Sequence, residues 1–169
     1  MKKNLALTGM MGVGKSNIGR NLSKRLSMRF ADIDEIIENK LKMSIQKIFQ
    51  KKGEYFFREI EEKITLDEVK KKNTIISLGG GAFMNDKIRK KILTNSKSFW
   101  LDLDTKLIEK RIIKSKKRPL LNDKNLKQTL EKIYNDRKDI DATANYRINC
   151  DRLNKNLITN KIIKLYANN

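Results

Sequence analysis

The chain of 169 residues sets 39 lysines and arginines against 20 acids for a net charge of +19, and it holds no histidine and a single cysteine, Cys150. Those counts exclude Ser-His-Asp catalysis, histidine-ligated metals, internal disulfides and Cys-rich zinc sites, and they leave acid–base work to carboxylate, lysine, tyrosine or water. The length suits one domain over 1–169; no apolar run nears the roughly 18 residues of a membrane span, and the first is too short for a secretory signal, so a cytoplasmic protein is expected.

Residues 4–9, NLALTG, are a short apolar run ending in glycine, which predicts a buried first strand. A helix is expected over 15–26, where Ile18, Leu22 and Leu26 share a face at spacings of four. Residues 30–32 read as a second strand. Helices follow over 34–41 and 44–51, broken near Met43, and a longer one runs from Gly53 to about residue 72 with Phe57, Ile60 and Ile64 on one face. NTIISLGGG, 73–81, is a strand entering three glycines. The remainder alternates: helix 86–93, strand 98–103, helix 105–114, helix 126–140, strand 146–150 and helix 154–166. Between them, the polar and basic segment 115–125 holds the only proline and reads as a mobile loop. Apolar strands alternating with helices predict a parallel sheet covered on both faces, a three-layer α/β/α fold with five strands. Ligands then gather at the carboxyl ends of the strands, where both glycine clusters fall. Cys150, at a strand end, is expected to be a small buried hydrophobe.

Gly9-x-x-x-x-Gly14-Lys15-Ser16 fits the phosphate-loop pattern, with a strand before it and a helix after it. The glycines let the backbone of Gly12, Val13 and Gly14 fold into a cradle of inward N–H groups, and the following helix adds the positive end of its dipole. Lys15 supplies a point charge to the phosphates of ATP, and the Ser16 hydroxyl can ligate Mg²⁺. A chance glycine-rich turn is the bland alternative.

The acceptor is written further along. Asp32 and Asp34 stand two apart at the end of the second strand, so one carboxylate can serve the metal shell and the other a substrate hydroxyl. Equally, Asp32 can cap a helix and Asp34 can be a surface acid. Arg58 beside Phe56 and Phe57 suits a flat anion, whose carboxylate its planar fork can grip in two places; a solvated arginine paired with Glu61 or Glu62 is the plain alternative. Gly79, Gly80 and Gly81 exceed what a tight turn needs and favour close approach of backbone to a ligand. Arg118, in the basic loop, can close over nucleotide and exclude water.

In order and spacing, GMMGVGKSNIGR, ADIDEIIE, SIQKIFQKKGEYFFREIE, LGGGAF, RPLL and the downstream Arg137 resemble the shikimate kinase family, small enzymes of the P-loop kinase fold. The likeness runs from about Leu5 to Arg152. It implies ATP and Mg²⁺ on the loop backbone with Lys15 and Ser16, and Asp32 supporting the metal through water. It implies that Asp34 meets a shikimate hydroxyl as candidate base, that Arg58 and Arg137 clamp the shikimate carboxylate, and that Phe49, Phe57 and Gly80 border the ring. Arg118 then reaches the phosphates from a lid over about 112–125, and Arg111 and Arg152 lie toward adenine. Residues from about 33 to 61 become the acceptor-binding segment. The chain departs from the family's Arg-x-Pro-x-Tyr after the second clamp arginine, since it reads Arg137-Lys138-Asp139-Ile140-Asp141.

The charge of +19 raises nucleic acid as a partner, as well as a field that draws small anions. Lysine spread over nearly every helix, together with abundant asparagine and isoleucine, reads instead as compositional bias on solvated faces. No basic stripe interleaved with aromatics is present. The expectation is therefore a monomer that binds shikimate and ATP, with no nucleic acid and no membrane. The rivals are another small-metabolite kinase such as a gluconate kinase and a nucleic-acid-stimulated ATPase.

Overall fold

A computed structural model describes residues 3–114 and 125–168. Five strands, β1 (Asn4–Thr8), β2 (Arg29–Asp32), β3 (Thr74–Ser77), β4 (Ser96–Asp102) and β5 (Tyr146–Asn149), form one sheet in the order β2-β3-β1-β4-β5. Every pairing is parallel, with Leu5 opposite Ile75 on one side of β1 and Lys97 on the other. All five residues of β1 are buried, as a central strand covered on both faces requires.

The strand period of two divides the core. Leu5, Leu7, Ile75 and Phe99 point to one face, where they meet Ile18 and Leu22 of α1 (Lys15–Leu26), Ile108 of α5 (Thr105–Lys114), Leu130 of α6 (Leu126–Asp141) and Ile162 of α7 (Lys155–Ala167). Ala6 and Ile76 point to the other, against Ile37 of α2 (Ile33–Leu41), Ile64 of α3 (Ile45–Lys70) and Ile92 of α4 (Asp86–Asn95). The predicted α/β/α fold with five parallel strands is the one observed.

Most elements sit where their periodicity predicts. α3 contains the expected break: Gly53, at φ 82° and ψ 170°, is non-helical and divides it into segments 45–52 and 54–70. β4 begins two residues earlier than expected, because Ser96 and Ser98 are buried polar residues and Ser98 satisfies its hydroxyl on Asn145. Where the sequence showed only glycine-rich loop, a 3-10 turn, Ala82–Met84, follows Gly81. Cys150 is buried just beyond β5, and burial pushes its thiol up to about 12. Among the described residues no helix is long and apolar enough to cross a membrane. The lid expectation over about 112–125, with Arg118, falls mainly on residues outside those described.

Candidate active site

The sheet order turns at β1: the chain leaves it for β2 and β3 on one side and later crosses to β4 on the other. The loops after β1 and β3 therefore adjoin at the carboxyl edge. A Cβ on Gly80 would stand 3.3 Å from the Met11 amide nitrogen, so the two glycine clusters touch. Beside them opens a cavity of about 680 Å³ lined by both loops, the ends of β2 and β3, and parts of α2, α3, α5 and α6.

At one end lies the phosphate loop. Gly9, at φ 128°, takes a conformation closed to side chains, and a Cβ there would lie 2.5 Å from the Leu101 carbonyl oxygen. The Lys15 Nζ donates to the carbonyl oxygens of Gly9 at 2.6 Å and Met10 at 3.0 Å, which holds the cation over the loop. Gly12, Gly14, Lys15 and Ser16 line the cavity. The Val13 side chain is packed in the core, so its share in a cradle is its backbone; its carbonyl oxygen accepts from Arg111 Nη1 at 3.0 Å. Arg111 thereby joins the cavity wall from α5.

Asp32 does what the plain reading asked and more. It is the N-cap of α2, with its side chain accepting from the Glu35 amide. Its Oδ2, however, is buried with no hydrogen-bond partner among the described residues, and the residue lines the same cavity as Ser16. A buried carboxylate oxygen left over beside a phosphate loop suits a nucleotide-borne Mg²⁺, which takes one or two protein oxygens and completes its shell with phosphates and water. No group of three or more acidic, histidine or cysteine side chains placed to hold a metal ion by themselves is found among the described residues. The donor set thus fits a metal brought in on ATP better than one in a dedicated cage.

At the other end two guanidinium groups converge. A Cβ on Gly81 would lie 3.1 Å from Arg58 Nη2 and 3.4 Å from Arg137 Nη2. Arg137 donates to the Gly80 carbonyl oxygen at 2.7 Å, so the aspartates at 139 and 141 have not displaced it. Burial, and then the charge of Arg58, pull the Arg137 pKa below its usual value. Burial also weighs against the Arg58 cation, but Glu61 and Glu54 outweigh it and the net shift is upward. The rings of Phe49 and Phe57 pack at 4.7 Å between centroids, with the Arg58 guanidinium 5.2 Å from the Phe57 ring centre. All four side chains line the cavity.

Between the two ends stands Asp34, also on the wall. A Cβ on Gly79 would lie 2.3 Å from Glu61 Oε1 and 2.9 Å from Asp34 Oδ1. Gly79 therefore makes room behind the carboxylates and is not itself on the cavity wall, in contrast to Gly80 and Gly81. Arg152 is exposed in the turn after β5 and is not among the residues that line this cavity.

Glu61 is the site residue that sequence reasoning undervalued. It is 2% exposed, accepts from Arg58 Nη1 at 2.7 Å through Oε2, and leaves Oε1 with no partner among the described residues. Burial pushes its pKa up, Arg58 opposes this, and Asp34 adds to the rise. Its spacing of three from Arg58 on one helix was the available signal.

Known proteins resemble this chain in sequence and in fold. A shikimate kinase from Bartonella henselae is 37% identical over 160 residues, covering 95% of this chain and 76% of its own. One from Bacillus subtilis is 38% identical over 167 residues, covering 96% and 88%. Among solved structures, shikimate kinase from Acinetobacter baumannii in complex with shikimate superposes with a TM-score of 0.92 at 30% identity, covering 98% of this chain and 93% of that one. A gluconokinase from Sinorhizobium meliloti, at 13% identity and a TM-score of 0.58, shares the fold alone. The family model described as shikimate kinase matches residues 11–167, and by that match and these identities the chain belongs to the shikimate kinase family.

Proposed function

We propose that the chain transfers the γ-phosphoryl group of ATP to the 3-hydroxyl of shikimate, giving ADP and shikimate 3-phosphate on the route to chorismate and the aromatic amino acids. The observation that carries this reading is the pair of guanidinium groups meeting at Gly81, at the far end of the cavity that begins at the phosphate loop. Two half-buried cations that repel one another make a receptor for an anion, and their forked geometry matches a carboxylate. The acceptor is then an acid that also carries a hydroxyl within reach of Asp34.

In this reading the loop backbone, Lys15 and the start of α1 hold the phosphates. Arg58 and Arg137 hold the acceptor carboxylate, with Phe49 and Phe57 against its ring and residues 33–61 as the acceptor-binding segment. Ser16 and Asp32 would hold Mg²⁺, which when bound neutralises charge on the phosphates. Asp34 orients the hydroxyl and takes its proton as the oxygen forms its bond to the γ-phosphorus and the bond to ADP breaks. Such a transition state is loose, so positioning and charge carry most of the rate. Arg118 reaches the transferred group from the lid over about 112–125, and Arg111 and Arg152 stand toward adenine. One domain, acting as a monomer in the cytoplasm, suffices for these roles.

The test is a panel of acceptors in a coupled ADP-release assay: shikimate, gluconate and a nucleoside monophosphate, each with ATP and Mg²⁺, plus single-stranded DNA and RNA. Turnover with shikimate alone is expected. Preference for gluconate, or hydrolysis stimulated by nucleic acid with steep salt dependence, would overturn the assignment.

A further inference from the structure

Asp141, at the end of α6, lies outside the cavity wall yet is only 5% exposed. Its Oδ1 accepts from the Thr8 hydroxyl at 2.9 Å, a buried contact between residues 133 apart in sequence. Thr8 is the last residue of β1, and the next residue is Gly9, whose carbonyl oxygen holds Lys15. One turn before Asp141 on α6, four residues back and so on the same face, is Arg137, bonded to the Gly80 carbonyl oxygen. The last turn of one helix thus grips the origin of the phosphate loop with one side chain and the acceptor loop with another.

The surrounding charges agree with a built contact. Burial pushes the Asp141 carboxyl up, Thr8, Lys15 and Arg137 pull it back, and Asp102 at the end of β4 pushes it up again. Asp102 is itself held by Arg147 of β5, through Nε at 2.9 Å and Nη2 at 2.6 Å, and by the Tyr134 hydroxyl at 3.2 Å. Tyr134, Arg137 and Asp141 follow one another along α6 at spacings of three and four, so a single face of that helix is fastened to the carboxyl ends of β1 and β4 and to the loop after β3.

We propose that Asp141 is a positioning residue for phosphoryl transfer: through Thr8 it fixes the start of the phosphate loop against the helix that carries Arg137, so that the two substrates are held in one register. This rests on the reading of the site as a kinase whose acceptor meets Arg137. Loss of the tether shifts one substrate relative to the other more than it weakens the grip on either.

Three single variants and one double variant test this. Asp141→Ala and Thr8→Val are each expected to lower kcat for shikimate about tenfold, less than the 10²-fold that a 1 Å misplacement can cost. Calorimetric Kd values for ADP and for shikimate should stay within threefold. The double variant should be no slower than either single one, because both remove the same contact. Asp141→Asn, whose amide oxygen can still accept from Thr8, should recover most of the rate. Amide hydrogen exchange over residues 9–13 should rise in the alanine and valine variants and not in the asparagine one, a readout that does not depend on the acceptor's identity. If the parent chain turned over no shikimate, the kinase reading would fall, and the exchange pattern would still decide the tether. Full kcat in the folded alanine variant, additive losses in the double variant, or unchanged exchange would overturn the proposal.

Discussion

Arg58 and Arg137 hold like charges together across Gly81, and the structure offsets the cost unequally. Arg58 has Glu61 and Glu54, while Arg137 has a carbonyl oxygen and a pKa depressed by burial and by its neighbour. An incoming carboxylate therefore gains most by relieving the pair. Removing one guanidinium should weaken acceptor binding by the worth of a charged hydrogen bond, about 1.5–3 kcal/mol, or roughly 10- to 100-fold in Kd. Arg58→Ala is expected to lose that much for shikimate in a calorimetric titration and to leave ADP binding within threefold. The reverse pattern would remove Arg58 from the clamp. The expectation for Arg58 and the glycines came from residue types whose chemistry points outward to a ligand, and that for Arg137 from the family resemblance alone. Glu61 was less legible, since a glutamate three residues from an arginine is ordinary on any exposed helix. Tertiary packing buries it, with Oε1 set against Gly79. Asp141 was visible as a departure from a pattern, but its partner, Thr8, is brought to it by the sheet and not by any local signal.

At the scale of elements, α3 shows how one backbone position shapes the acceptor end. Segment 45–52 carries Phe49 and segment 54–70 carries Phe57 and Arg58; the bend at Gly53 sets the angle at which these side chains meet. The conformation there, φ 82° and ψ 170°, is essentially closed to residues with a Cβ and costs about 1–3 kcal/mol when one is forced into it. A Cβ on Gly53 would meet nothing within 4 Å, so crowding adds nothing to that cost. Gly53→Ala should therefore lower the unfolding free energy by about 1–3 kcal/mol in a urea titration. An unchanged midpoint would mean that the two segments can join into one straight helix without penalty. The break was readable because a glycine interrupts a helical apolar pattern there, whereas the 3-10 turn at Ala82–Met84 was not, since three glycines announce freedom without saying how it is used. The early start of β4 was hidden for another reason: buried serines look like loop until the Asn145 side chain that satisfies one of them is in place.

For the molecule as a whole, the net charge of +19 opposes compaction, and acid deepens that opposition as carboxylates are neutralised. Within this field individual carboxylates pull in opposite directions. Glu61 and Asp141 have raised pKa values, so the stability they lend is fully present below their unfolded values and is lost as pH rises through the folded ones. Glu68 has the opposite sign. It is buried near the end of α3, where burial alone would raise its pKa, but Arg29 at the start of β2 and Lys71 after the helix overcome this and hold the carboxyl below its usual 4.5. A depressed pKa contributes stability above the unfolded value, and that contribution disappears as pH falls through the folded value. Glu68→Gln keeps one acceptor oxygen, turns a donor amide toward the other cation and removes the charge, so it should cost about 1–2 kcal/mol at pH 7, the scale of a charged hydrogen bond whose partners are half exposed. The comparison is best made as the difference between variant and parent in urea midpoints at several pH values, because the general acid destabilisation from net charge is nearly common to both and cancels. The difference should hold from pH 7 down to about 4.5 and shrink below that. A difference that stays constant into acid would show that the variant acts through packing, and that the fastening of β2 to α3 owes nothing to the ionised form of Glu68.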